Sequence, residues 1–475
     1  MWPTANIPLS WNRLPTALPF EWPFSIYWQE GKVKFTKTAI ISRKGFQPLP
    51  ERLLLKNARL VDPVAQMDET TDLVLEDGRI ASLGPIDAQG FQGEVLDLSG
   101  KIVSPGWMDL HVHLREPGRE DEETIESGSL AAANGGFTAL CCMPNTDPPI
   151  DSQEIIQYIK DRSADLLVAV HPIAAITKKR EGKELSEILE LVEQGAVAIS
   201  DDGSPVMNAE VMRRALEYTK MVGVPVIGHE EDVTMTDGAQ INEGFVSTCL
   251  GLRGWPTVAE DVMVARDILL AEYTGGRFHV AHISSEGAVE LVRQAKARGV
   301  QVTAEVTPHH FTLTDEAVRG YDTNTKINPP LRSEEDRQAL LQGLVDGTID
   351  VIATDHAPHA FEEKEAEYIY APFGIVGLET ALGLCVTELV QTGLLSWTQL
   401  IEKLAVNPYR ALGLEPPRIK PGHPANLTIF DPEAQWEVNP ARFLSKSRNT
   451  PFGEKKLTGK PLAVINQGKM FFSTL

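Results

Sequence analysis

The amino-acid sequence predicts an α/β fold: a (β/α)₈ barrel of the TIM type with a small composite β domain drawn from both ends of the chain. Three observations predict it. Between residues 102 and 412, eight strand-like apolar runs alternate with amphipathic stretches of helical period. That alternation is the pattern of a parallel sheet with crossover helices. Five of the runs carry His, Asp or Glu at their ends, and a barrel places its chemistry on the C-terminal rim of its strands. Short β-like runs also stand before and after the alternating region. A doubly wound open sheet is the competing arrangement, but no G-x-G-x-x-G follows the first run.

Residues 1–50 differ from the rest. They hold Trp2, Trp11, Trp22 and Trp28, half of the eight Trp, and two acids against six Lys and Arg. Prolines at 3, 8, 15, 19 and 23 exclude a long helix or a central strand. The basic start and clean apolar core of a signal peptide are absent. Three readings stand: a poorly ordered extension, a docking arm, or sequence upstream of the true start, with the first and third favoured. Next, Arg52–Leu60 alternates loosely, and 73–75 and 79–83 flank the turn Glu76-Asp77-Gly78, as in a β-meander.

The eight strand-like runs are 102–114, 137–145, 166–176, 196–202, 224–230, 277–284, 300–311 and 348–359. Amphipathic stretches between them include 185–194, 209–221, 257–273 and 286–297. Two further helices are expected around 378–393 and 400–412, and the tail returns to β-like runs at 425–430, 462–465 and 470–472. The expected domains are therefore a β domain of 51–103 plus 413–475 and a barrel of 104–412.

Charge and composition narrow the function. A net charge of −22 argues against long-range attraction to nucleic acid or an anionic membrane. No apolar run reaches transmembrane length. The four cysteines, Cys141, Cys142, Cys249 and Cys385, form no C-x-x-C pair and suit free thiols in a reducing cytoplasm. The expectation is a cytoplasmic enzyme acting on a small molecule.

The titratable groups at the strand ends are His111 and His113 on the first run, Asp201-Asp202 on the fourth, His229-Glu230 on the fifth, His282 on the sixth and Asp355-His356 on the eighth. Strand side chains alternate in direction, so His111 and His113 face the same way. Imidazoles with carboxylates suit zinc, and a catalytic zinc keeps one position open for water. A lone His at a strand end is more often structural. Five such sites at one end of five strands favour the metal. His171, His279 and His423 are expected to be structural, and His309, His310 and His356 to orient ligands.

These residues resemble the amidohydrolase superfamily, and within it the class I dihydroorotases. The match runs from about Leu53 to the C-terminus. It is carried by His111-Val112-His113-Leu114-Arg115-Glu116-Pro117-Gly118, Met143-Pro144-Asn145-Thr146, Ser200-Asp201-Asp202-Gly203 and Gly228-His229-Glu230. Further on come Ala281-His282-Ile283-Ser284, the stretch from Lys326 through Asn328 to Arg332, and Thr354-Asp355-His356-Ala357-Pro358-His359. The resemblance implies that His111, His113, Asp202, His229, His282 and Asp355 hold one or two zinc ions. It implies that Asp355 also transfers the proton. Substrate would meet His113, Arg115, Asn145, Asn328, His359 and the backbone of Phe373-Gly374.

The implied reaction is the reversible closure of N-carbamoyl-L-aspartate to L-dihydroorotate in pyrimidine synthesis. It needs an activated water and a polarised carbonyl, which zinc supplies. It also needs a fork for the fixed carboxylate, which Arg115 offers. The rivals are dihydropyrimidinase or hydantoinase, allantoinase, and a catalytically weak homologue serving as a scaffold. Relatives of the first two kinds bridge two metals with a carboxylated lysine, and 196–203 contains no lysine. A scaffold homologue usually loses ligands, and none is missing here. A homodimer and an aspartate transcarbamoylase partner are left open by the sequence.

Overall fold

The structure is a computed structural model that describes the strands Ser25–Gln29 and Lys32–Thr36 and residues 45–475. Its barrel strands are β1 (Trp107–Val112), β2 (Phe137–Cys142), β3 (Ala169–Ala174), β4 (Ala198–Ser200), β5 (Val226–Gly228), β6 (Phe278–Val280), β7 (Val302–Val306) and β8 (Val351–Ile352). Each pairs in parallel with the next. His356 and Val112 bridge β8 back to β1, where His113 N donates to His356 O at 2.9 Å. Each of the eight expected runs contributes one strand to the barrel, and the predicted barrel is borne out.

The crossover helices start and stop where local chemistry dictates. Among them are α1 (Ile125–Gly135), α2 (Ala209–Val222), α3 (Glu286–Ala297) and α4 (Glu334–Asp346). Thr124, Asn208, Ser285 and Ser333 accept from backbone N–H groups of the first turns, satisfying donors that have no partner inside the helix. The helices expected around 378–393 and 400–412 are present as Ala381–Val390 and Trp397–Leu412, each with a π-helical turn.

The first run, 102–114, differs from expectation. It is two strands in two sheets: Ile102–Pro105 pairs with Leu427–Phe430, while Trp107–Val112 opens the barrel. Gly106 is the joint. A Cβ there would lie 1.9 Å from Asn426 Oδ1 and 2.2 Å from Thr138 Oγ1, so no side chain fits. A register shift against β2 follows, between the pairs Asp109–Leu140 and Val112–Cys142. Met108 and Leu110 belong to the cluster filling the barrel, whereas Val112 and Leu114 belong to the cluster between barrel and helices. The shift resets the alternation, and His111 and His113 turn inward.

The second sheet runs in the order Gln47–Pro48, Lys469–Phe472, Lys456–Asn466, Leu427–Glu437, Ile102–Pro105, Arg52–Asp62, Met67–Glu76, Arg79–Leu83. Front and tail strands thus share one sheet, and Leu53, Leu55, Leu60 and Leu73 pack with Leu427, Ile429 and Ile465. Most of segment 1–50, and with it the expectation of poor order, lies outside the described residues. Its last residues are part of the fold: Gln47–Pro48 pairs with Lys469–Met470, and buried Phe46 meets Phe471 with ring centroids 5.9 Å apart. No helix among the described residues is long and apolar enough to cross a membrane.

Candidate active site

The C-terminal rim brings the six predicted metal residues together. Asp202, just beyond β4, stands at the centre. Its Oδ1 lies 3.3 Å from His111 Nε2, 3.4 Å from His229 Nδ1 and 3.5 Å from His282 Nε2, and its Oδ2 lies 3.6 Å from His113 Nε2. Asp355 Oδ1 lies 3.0 Å from His113 Nε2 and 3.6 Å from His111 Nε2. All six residues are buried. Two groups, His111 with His113 and Asp202, and Asp202 with His229 and His282, each bring their ligand atoms within 4.8 Å of one another.

The ring orientations leave the right nitrogens facing inward. His111 Nδ1 donates to Glu305 Oε1 at 2.7 Å, His113 Nδ1 to Asn145 Oδ1 at 2.8 Å, and His229 Nε2 to Glu231 Oε2 at 3.1 Å. These acceptors assign the tautomers, and each ring keeps its other nitrogen for the centre. His229 Nδ1 and His282 Nε2 face each other at 3.0 Å. His111 Nε2 and Asp202 Oδ1 are buried without a hydrogen-bond partner. Atoms of that kind, converging from four imidazoles on one carboxylate, fit a metal cation.

The electrostatics agree. Burial opposes protonation of His111, yet Asp202 and Glu305 raise its pKa well above the usual range. Burial likewise opposes charge on His229, but the facing carboxylates of Asp202 and Glu231 bring it to about 10. Glu305 is buried and still falls to about 2 because His111 faces it. Burial would raise Asp202, but His111 and its other imidazole neighbours hold it well below its usual value. The cluster is an anionic well that draws positive charge to its centre. Backbone strain concentrates here as well: Arg115, His282 and Asp355 have φ of 60°, 30° and 48°. Non-glycine residues held there cost of order 1–3 kcal/mol each.

The predicted substrate residues lie on the same rim, with partners the sequence did not reveal. Arg115 Nε is 3.0 Å from Glu122 Oε2 and 3.1 Å from Pro358 O, and its side chain is 12% exposed. It is an ion pair, but an internal one at the site's edge. Asn145 Oδ1 is spent on His113, as above. Asn328 Nδ2 donates to Glu231 Oε2 at 3.1 Å, while its Oδ1 is buried without a partner. His359 Nδ1 faces Glu122 Oε1 at 2.9 Å and its Nε2 faces Phe373 O at 2.8 Å. Burial and the adjacent Arg115 push His359 down to about 3, whereas two facing acceptors favour a second ring proton. Gly374 N donates to Lys326 O and Gly374 O accepts from Lys364 Nζ. A Cβ at Gly374, where φ is 128°, would meet Ala357 Cβ at 2.6 Å.

Asp201 points away from the imidazoles and accepts from Thr177 N and Oγ1. Two of the three histidines expected to orient ligands are tied elsewhere. His310 contacts Thr307 and Pro329 O, and the His356 ring contacts Glu123 and Gly377 N. His309 lies against the His310 ring and its Nε2 has no hydrogen-bond partner. The orienting role falls to Glu305, Glu231 and Asn145. His279, expected to be structural, bonds Glu305 Oε2 at 3.2 Å and Thr303 at 2.7 Å, bracing the carboxylate that holds His111.

The tail contributes too. Asn449 Nδ2 donates to Ala357 O at 3.0 Å and Gly374 O at 3.1 Å, and its Oδ1 accepts from His359 N at 3.3 Å.

Residues 100–288 match the family model described as dihydro-orotase-like. A dihydroorotase of Pelotomaculum thermopropionicum is 56% identical over 420 residues, 88% of this chain and 98% of that protein. One from Syntrophus aciditrophicus is 51% identical over 425 residues, covering 89% and 99%. Among solved structures, an L-hydantoinase (dihydropyrimidinase) from Arthrobacter aurescens superposes with a TM-score of 0.78 at 26% identity, covering 89% of this chain and 96% of that one. With more than half of the aligned residues identical to the two dihydroorotases across nearly their whole length, the chain belongs to the dihydroorotase family.

Proposed function

We propose that the chain is a zinc-dependent dihydroorotase that reversibly closes N-carbamoyl-L-aspartate to L-dihydroorotate and water. The observation that carries this reading is the shared carboxylate: Asp202 belongs to both candidate metal groups, on a rim that also presents Arg115 and His359. His111, His113, Asp202 and Asp355 would hold one ion, and Asp202, His229 and His282 a second. Zinc bound there supplies an acidified water and polarises the carbonyl oxygen.

The chain's own groups do the rest. Asp355 is held ionised among His111, His113 and His282 despite its burial. In hydrolysis it accepts the attacking water's proton and returns it to the leaving ring nitrogen. In synthesis it takes that proton from the carbamoyl nitrogen as the C–N bond closes and hands it to the carboxylate oxygen that leaves as water. Arg115, with His359 beside it, grips the carboxylate that does not react, so the reacting carbonyl is presented at a fixed distance from Asp355. Asn145 and Asn328, each tied on one side to the ligand network, offer their remaining amide atoms to the substrate, and Phe373-Gly374 closes the edge with backbone.

Hydantoin and allantoin lack the carboxylate that Arg115 would meet. Turnover measured on L-dihydroorotate, hydantoin and allantoin tests the reading, which expects the first to be strongly preferred. Equal or better turnover of hydantoin would overturn it. A cytoplasmic location belongs to the same reading. A homodimer and an aspartate transcarbamoylase partner are further proposals, checked by light scattering of the chain with and without the transcarbamoylase.

A further inference from the structure

We infer that Glu122 is a positioning residue that sets the geometry of carboxylate recognition by holding Arg115 and His359 with one side chain. This rests on the functional reading above. Glu122 is 3% exposed at its side chain, and its two oxygens serve the two partners separately. Oε2 lies 3.0 Å from Arg115 Nε, and Oε1 lies 2.9 Å from His359 Nδ1. Arg115 follows β1 and His359 follows β8, so neither segment sets the separation of the two groups by itself. The carboxylate between them does so, together with the bond from Arg115 Nε to Pro358 O at 3.1 Å and the contact of His359 Nε2 with Phe373 O at 2.8 Å. The side of each group away from Glu122 is where they meet, with Arg115 Nη2 3.4 Å from His359 Nε2.

Pairing fixes a guanidinium but also spends part of its charge. Arg119 offsets that second effect, because its Nη2 lies 3.3 Å from Glu122 Oε1 and draws the carboxylate's charge toward itself. Glu122 is anchored in turn: its backbone carbonyl accepts from Ser447 Oγ at 2.8 Å, and its N–H donates to Arg119 O at 3.0 Å. Glu122, His359 and Glu363 also have the spacing of a metal group. Arg115 and Arg119 already occupy those carboxylates, and a cation would have to displace them. The cluster therefore orients side chains rather than holding a metal.

The test is steady-state kinetics of the zinc-loaded enzyme on L-dihydroorotate. Glu122→Gln keeps the size and removes the charge. KM should rise roughly tenfold or more, with kcat changed less than about threefold and zinc content unchanged. Glu122→Asp, which keeps the charge on a shorter arm, should show a smaller rise, and it carries the test if Glu122→Gln does not fold. Because Glu122 acts through Arg115, the double variant Arg115→Lys with Glu122→Gln should lose little beyond Arg115→Lys alone. A wild-type KM in the folded variants, or fully additive losses in the cycle, overturns this role while leaving the functional reading intact. A wild-type enzyme that turns over neither L-dihydroorotate nor N-carbamoyl-L-aspartate overturns both.

Discussion

Replacing Asp202 by Ala removes the one carboxylate that four imidazoles share. The contacts lie between 3.3 and 3.6 Å. At 3.5 Å and an effective dielectric near 20, two unit charges attract by roughly 5 kcal/mol. A cation held among those imidazoles loses attraction of at least that order, equivalent to more than about a thousandfold in affinity. Elemental analysis of dialysed Asp202→Ala should therefore find little zinc in either group, since Asp202 belongs to both, and turnover should vanish. Asp201→Ala is the matched control. Its carboxylate serves Thr177 and no imidazole, so that variant keeps its zinc and loses only about 1–3 kcal/mol of stability. Full zinc occupancy in Asp202→Ala, or zinc loss in Asp201→Ala alone, would refute the assignment.

Other outcomes follow from the same geometry. Glu305→Gln leaves His111 without its anionic acceptor and should weaken zinc binding about 10- to 100-fold, read by competition with a chelating dye; unchanged affinity would remove Glu305 from the site. Arg115→Lys keeps the charge but loses the fork, so KM should rise while zinc content stays normal; a wild-type KM would show that Arg115 is not the carboxylate grip. Direction should follow pH. N-carbamoyl-L-aspartate carries two carboxylates and dihydroorotate one, so closure consumes a proton, and each unit of acidification should favour the ring about tenfold. An equilibrium ratio independent of pH, measured by chromatography, would rule out this reaction.

The barrel was legible because its eight runs keep helical and strand periods apart, and the rim was legible because charge breaks those runs at their C-terminal ends. What escaped depended on closure. Glu305 carries a local signal, a carboxylate inside the apolar run 300–306. Which imidazole it meets is decided only when β7 comes round to face β1. Glu231 follows Glu230 directly, and alternation cannot rank adjacent acids where a strand is already turning. Asn449 lies in a stretch with no periodicity, and its place over 357–359 and Gly374 comes from tail strands returning to the front sheet. Glu122 sits among Glu120, Asp121 and Glu123, a charge run that reads as solvated surface although Glu122 and Glu123 are buried. The boundary at Gly106 was hidden because Ile102–Pro105 and Trp107–Val112 are equally apolar, and only the close approach of Asn426 and Thr138 divides them.

The proposed metal centre is built on Asp202 rather than on a carboxylated lysine. The most direct measurement is turnover of L-dihydroorotate by chelator-stripped enzyme as zinc is returned in bicarbonate-free buffer. The stripped enzyme should be inactive and should recover fully with zinc alone, saturating at one or two equivalents per chain. Activity that survives stripping, or that returns only when bicarbonate accompanies the zinc, would contradict this metal centre.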